Sequence, residues 1–234
     1  MDSITLIDKE LTLWLNSFNS SAADFFFYLT TSTLLWVPLF LILAWMIMVK
    51  QGPRGFITIL FIGLIILVAD QLSSSVIKPL VERARPSHDD ILQYMVHLVD
   101  GRRGGPFGFL SSHAANTFAI TSFLILMIRN KFLNISFLVW ALINCYSRIY
   151  CGLHFVGDIL CGAVLGIIIG AVAYQIYLHL CLHLFVIYHH NKRTLKSGLA
   201  EMFGVEAPLI VGWAFWLILA LSFIVTYMYI RYNQ

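Results

Sequence analysis

The sequence predicts an all-α polytopic membrane protein, with six transmembrane helices in a bundle and an N-terminal amphipathic helix at the interface. Three observations carry this. Hydrophobic residues make up 59% of the chain against 12% charged, and the mean hydropathy is +0.82, far outside the soluble globular range. Six apolar runs of spanning length can be laid along the 234 residues. The connections between them are short, apart from residues 78–111 and 187–207. The net charge of +3 is spread over several loops without basic runs or interleaved aromatics, which argues against nucleic acid as a partner. Cysteines 145, 151, 161 and 181 show neither CxxC spacing nor a metal-type cluster and read as buried free thiols.

The first ~17 residues place Asp2, Asp8, Lys9 and Glu10 among Ile4, Leu6, Leu11, Leu13, Trp14 and Leu15, the pattern of a helix lying on a membrane surface. They lack the basic start and small-residue cleavage site of a signal peptide. Residues 22–32, with Phe25, Phe26, Phe27 and Tyr28, either extend the first span or form a separate helix. The spans fall at roughly 33–49, 55–77, 112–129, 132–149, 155–186 and 208–230, and the chain 1–234 reads as one membrane-embedded domain with its motif-bearing core at 70–175. Gly162, Gly166 and Gly170 form a small-residue ridge on the fifth span, suited to close helix packing inside the bundle or to homodimerisation. Asp70, near Ser73, Ser74 and Ser75, is an intramembrane acid that should face the bundle.

Orientation follows from the loop charges. The loops after the first, third and fifth spans hold Lys50, Arg54, Arg129, Lys131, Lys192, Arg193 and Lys196, and the 187–207 loop, which adds His189 and His190, reads as a basic membrane-facing segment. The opposite face holds eight cations, of which Lys78, Arg85 and Arg148 are set aside as candidates for chemistry. The seven-cation face is then cytoplasmic, and both termini lie outside.

Lys78 ends the second span, His113 opens the third, Arg148 ends the fourth and His154 opens the fifth, so all four fall at one membrane level. Ionisable groups near hydrocarbon are costly, and a cluster of them is a site rather than an accident. Asp158 follows His154 by four residues, one helical turn, and can fix its tautomer and leave the other ring nitrogen free to attack. A helix N-terminus also keeps that imidazole neutral. Lys78, Arg85 and Arg148 supply the fixed cations that a transferring phosphoryl group requires, two of them able to fork onto two oxygens. Ser111 and Ser112 begin the third span, where unpaired backbone N–H groups make an anion seat. His113 beside the leaving oxygen can serve as acid and then as base. His88 and His97, in the long loop with Asp89, Asp90 and Asp100, are candidates for headgroup selectivity.

The strings Lys78–Pro86 (K-x6-R-P), Leu110–His113 and Ser147–Asp158 (S-R-x5-H-x3-D) resemble the signature of the type-2 phosphatidic acid phosphatase superfamily of membrane lipid phosphatases. The first and third match in every defining position. In the second, Leu110 stands where the family has Pro, and Ser112 where it has Gly. The resemblance implies a metal-independent reaction, without cofactor, through a phosphohistidine. His154 would be the nucleophile, Asp158 its partner and His113 the acid/base, and Lys78, Arg85, Ser111, Ser112 and Arg148 would hold the phosphate.

The expected function is therefore hydrolysis of a lipid phosphomonoester or pyrophosphate. Undecaprenyl pyrophosphate, phosphatidylglycerophosphate, phosphatidic acid and lipid A phosphates are the candidate substrates. The setting would be a bacterial inner membrane, with the site on the periplasmic face. The competing expectation is a transporter or flippase that binds a phosphorylated lipid without cleaving it; such a protein needs the cations but not the paired histidines.

Overall fold

The computed structural model describes residues 3–185, 203–204 and 206–233. Cations Lys192, Arg193 and Lys196, with His189 and His190, lie outside the described residues. The described chain is helical, in the order α1 (Ser3–Asn16), α2 (Ser21–Thr30), α3 (Thr33–Gln51), α4 (Gly55–Asp70), a π-helical stretch Gln71–Ile77, α5 (Lys78–Val81), α6 (Ser112–Ile128), α7 (Lys131–Tyr150), α8 (Val156–Phe185) and α9 (Glu206–Asn233). Among the described residues, Thr33–Val81, Lys131–Tyr150, Val156–Leu180 and Glu206–Tyr232 are long and apolar enough to cross a membrane, with the shorter apolar α6 beside them. Thr33–Val81 is not one rod. Gly52, at φ 59°, and Pro53 break it, and the chain folds back so that Thr33 and Trp36 of α3 line the same cavity as Ile66 and Asp70 of α4.

Of the two readings of residues 22–32, the structure takes the separate helix. Ser20 caps α2 by accepting from Ala23 N–H at 3.2 Å, and Thr31 and Ser32 separate it from α3, so residues 22–32 do not extend the first span. Helix α1 points Ile4, Ile7, Leu11 and Trp14 outward, as an interfacial helix should. Its opposite, polar stripe is the one that packs on protein: Asp8 is half-buried, and Thr12 and Asn16 are buried. Asn16 Nδ2 donates to the carbonyls of Ile149 and Tyr150 at 3.1 and 2.7 Å, the last two of α7. Phe25 of α2 stacks on Tyr229 at 4.0 Å, which brings the end of α9 to the same end of the bundle as α1.

Helices in lipid gain little by hiding apolar surface from one another, so close approach must come from small residues. The most closely packed pair is α6 with α8. A Cβ added at Gly162, Gly166 or Gly170 would strike the backbone of α6 at Ser111, Ala115 and Ala119 respectively. The ridge is thus filled from within the chain, and the homodimer expected as its alternative use has no glycine face left to form on. Cys145 and Cys151 are buried thiols, whereas Cys161 faces outward, on the side of α8 away from the bundle.

Gly166→Val should wedge α6 from α8 and cost about 1–3 kcal/mol, lowering the thermal midpoint in detergent. Gly63→Ala, where an added Cβ meets nothing within 4 Å, should leave the midpoint unchanged or raise it. Equal midpoints for the two variants would contradict this packing.

Candidate active site

The end of α4 is shaped by its own sequence. Pro79 has no N–H and its ring crowds the carbonyl of Ser75, which disfavours an unbroken α-helical register from α4 into α5. The chain widens into the π-helical stretch Gln71–Ile77, which aims Ser74 and Lys78 at α6. Ser112 Oγ sits between them, 2.6 Å from Lys78 Nζ and 2.8 Å from Ser74 Oγ. Glu82, in the left-handed region at φ 49°, then ends α5. The following extended residues are pinned by Arg85 N–H to Pro106 O at 3.1 Å and Gly108 N–H to Arg83 O at 2.8 Å. Arg83 and Arg85 consequently share one face. Gly108 is required at this crossing: a Cβ there would stand 3.0 Å from Asp158 Oδ2.

His154 lies just before α8, not within it. Asp158 reaches back from the first turn of α8 to accept the Phe155 N–H at 3.0 Å, one half of a capping box, and this brings its carboxylate to the imidazole. The same Oδ2 is 3.5 Å from His154 Nδ1, a close ion-pair distance without hydrogen-bond geometry. Arg85 Nη1 lies 3.1 Å from His154 Nε2 and donates to Leu153 O at 3.1 Å. A guanidinium can only donate, so Nε2 is the acceptor and the ring proton belongs on Nδ1, facing Asp158. Burial, with Arg85 and Lys78 nearby, lowers the His154 pKa to about 4 against the pull of Asp158. Burial is the largest cause and keeps the ring neutral.

These groups converge on a cavity of about 590 Å³ lined at one end by Lys78, Arg85, Ser112, His113, Arg148 and His154. His113, the second residue of α6, presents its ring to the cavity, and Arg148 in the last turn of α7 reaches toward Thr31 O at 3.5 Å. Trp36, Phe40, Ile66, Ile120 and Trp140 line the rest, with Asp70 on the wall. Ser111 is different: fully buried, it caps α6 by accepting from Ala114 N–H at 3.4 Å and does not line the cavity. His88 and His97 are also elsewhere. His97 Nε2 pairs with Asp24 at 2.6 Å and His88 Nδ1 meets Ser87 Oγ at 3.1 Å. A polar end with fixed cations, two imidazoles and the N-terminus of α6 has the chemistry to hold a phosphoryl group and move a proton beside it.

The PAP2 superfamily model matches residues 58–181. The chain belongs to the PAP2 superfamily. It is 38% identical over 162 residues to the lipid A 4'-phosphatase of Bacteroides thetaiotaomicron, covering 68% of this chain and 72% of that one. The lipid A 4'-phosphatase of Porphyromonas gingivalis is 36% identical over 183 residues, 76% of each chain. Two crystal structures share the fold. Aquifex aeolicus LpxE superposes at TM-score 0.53 and 24% identity over 71% of this chain and 93% of its own. A PAP2-type phosphatidylglycerolphosphate phosphatase from Bacillus subtilis gives 0.56 and 22% over 76% and 87%. The PAP2 protein described here is an integral-membrane phosphatase, a phosphoric monoester hydrolase of lipid metabolism.

Sequence spacing missed two residues of this PAP2 site. Arg83 donates to Asp158 Oδ1 at 2.9 Å, and Asp8 of α1 pairs with Arg83 at 2.7 Å. Arg83 lies inside the K-x6-R-P string, where only its ends attract attention, and Asp8 is 150 positions from Asp158, beyond any local pattern.

If His154 is the attacking group, an imidazole held neutral to about pH 4 predicts that kcat/KM does not fall as pH drops through 6.5; its acid limb should lie well below that value. An acid limb at the ordinary histidine value, assigned to His154 by mutation, would contradict the burial argument.

Proposed function

We propose that this phosphatase removes a phosphomonoester from the sugar headgroup of a lipid A-type lipid through a phosphohistidine at His154. The observation that carries the mechanism is His154 Nε2, turned toward Arg85 at the cationic end of the cavity that His113 shares, with Nδ1 facing the Asp158 carboxylate at 3.5 Å. The two relatives named as lipid A 4'-phosphatases support the substrate class.

In the first step Nε2 attacks phosphorus and the bond to the lipid oxygen breaks while His113 gives that oxygen a proton. Lys78, Arg85, Arg148 and the first N–H groups of α6 hold the equatorial oxygens, stabilising the charge that develops there. In the second step a water, losing its proton to His113, attacks phosphorus and breaks the P–N bond, releasing inorganic phosphate and neutral His154. Ser112, bound to Lys78, orients the ammonium and adds a donor. The protein's own cations replace a metal clamp, and no cofactor enters the scheme. Residues 1–234 act as one phosphatase unit.

The periplasmic leaflet of the inner membrane is the proposed setting. Arg83 pairs with Asp158 and so joins the site, which leaves only Lys9, Arg102, Arg103 and Arg231 as non-site cations on the active-site face, against seven on the other.

Purified protein in detergent should release phosphate from lipid A faster than from undecaprenyl pyrophosphate, phosphatidylglycerophosphate or phosphatidic acid, with EDTA leaving the rate unchanged. His154→Ala should lose turnover by on the order of 10³-fold or more. Binding of lipid A without phosphate release would favour the flippase, and faster release from another lipid would reassign the substrate. For orientation, a single cysteine replacing Asp100 in a background free of native cysteines should react with an impermeant thiol reagent in spheroplasts. Reaction only after lysis would invert the topology.

A further inference from the structure

Behind the site, a single guanidinium joins two carboxylates from distant parts of the chain. Arg83 Nη1 donates to Asp158 Oδ1 at 2.9 Å and Nη2 to Asp8 Oδ2 at 2.7 Å, and the group lies over the Phe155 ring, 4.1 Å from its centroid. The second oxygen of Asp8 accepts the Gly157 N–H at 2.8 Å. Thr12, one turn further along α1, accepts the Val156 N–H at 3.1 Å. The polar stripe of α1 therefore binds the first turn of α8, the turn that carries Asp158. Asp158 is fully buried, and a buried carboxylate needs a partner charge.

We propose that Arg83, locked in place by Asp8, is a positioning residue for the His154–Asp158 pair, and that α1 is thereby part of the catalytic unit as well as an interfacial helix. The inference rests on His154 being the nucleophile. One oxygen of Asp158 faces His154 and the Phe155 N–H; the other is held by Arg83, so the carboxylate cannot rotate away without breaking an ion pair. Arg83 also offsets the charge of Asp158. The groups facing His154 are Asp158 from α8, Arg85 from the loop, Lys78 from α5, His113 from α6 and Arg148 from α7, with Arg83 and Asp8 standing behind Asp158. Removing Arg83 would let Asp158 favour the imidazolium, and a protonated ring has no lone pair with which to attack.

Full-length Arg83→Ala, checked for folding by its thermal midpoint, should lose kcat on the order of 10- to 100-fold with KM nearly unchanged, and its acid limb of kcat/KM should move up in pH. Arg83→Lys should recover part of both, because an ammonium can replace one of the two contacts. Asp8→Ala should also lower kcat, but with Arg83 still on Asp158 its acid limb should not rise. The double variant should lose less than the product of the two single losses, since Arg83 and Asp8 share one ion pair while Asp8 alone holds the Gly157 N–H. A folded Arg83→Ala with wild-type kcat and acid limb overturns the proposal; so does a loss with no shift and no recovery by Lys. Should Arg83→Ala not fold, wild-type kcat in both Arg83→Lys and Asp8→Ala overturns it. His154→Ala separates the two levels. Wild-type turnover in that variant removes the nucleophile assignment itself, whereas an inert His154→Ala beside an unaffected Arg83→Ala removes this inference alone.

Discussion

The buried carboxylate of Asp158 is the constraint on which the active end of the molecule depends. A fully buried charge is tolerated only where hydrogen bonds and a counter-charge replace its water, and every element near it contributes one. Its own helix offers the Phe155 N–H, the long loop offers Arg83, and Gly108 yields the space for the loop to approach. Its backbone carbonyl accepts the Ser111 N–H at 3.1 Å, which ties the start of α6 to the start of α8. The separation of His113 from His154 is set by that tie. Asp158 is thus also the joint between the start of α6, which carries His113, and the start of α8, which His154 directly precedes.

The bundle makes that joint rigid by packing rather than by hydrophobic force. Large apolar residues such as Leu41, Leu60, Val164 and Leu217 face outward, where lipid solvates them as well as protein would. Contact between helices comes from the glycines of α8 against α6 and from polar pairs inside the bundle, such as Thr58 with Gln51 at 2.5 Å and with Tyr177 at 2.8 Å. The α6–α8 contact runs from Ser111 beside the site to Ser122 deeper in the bundle, so the helices that position the histidines have little freedom to slide.

The sequence makes legible what local spacing encodes. Apolar run lengths located the long helices; Lys78, Ser112, His113, Arg148 and His154 line one cavity because each stands where an apolar run begins or ends, and Arg85 joins them from the long loop. Contacts between remote segments were not legible. Helix α1 was read as amphipathic from its apolar side, yet its polar side, Asp8, Thr12 and Asn16 at four-residue spacing, makes the specific contacts. Ser111 and Ser112 are chemically alike and adjacent, and only the cap geometry separates them: Ser111 turns inward to the helix backbone while Ser112 turns to Lys78. His97, a candidate for headgroup selectivity by its place in the long loop, ties that loop to α2 through Asp24, a contact 73 positions away in the chain.

The cavity wall bears on the choice among lipid substrates. Phosphate at the cationic end leaves the remainder of an amphiphile against Trp36, Phe40, Ile66, Ile120 and Trp140, an apolar surface that a soluble phosphate ester would leave uncovered. Asp70 stands on that wall, one turn from Ser74, which contacts it at 3.5 Å, and its charge acts on Lys78. A second phosphate lying beside Asp70 would meet a like charge, which costs far more at low dielectric than in water. A hydroxyl or amide N–H at the same place would find an acceptor. On the reading proposed above, a lipid A-type headgroup would bring one phosphate to the cationic end and hydrogen-bond donors to Asp70 on the wall.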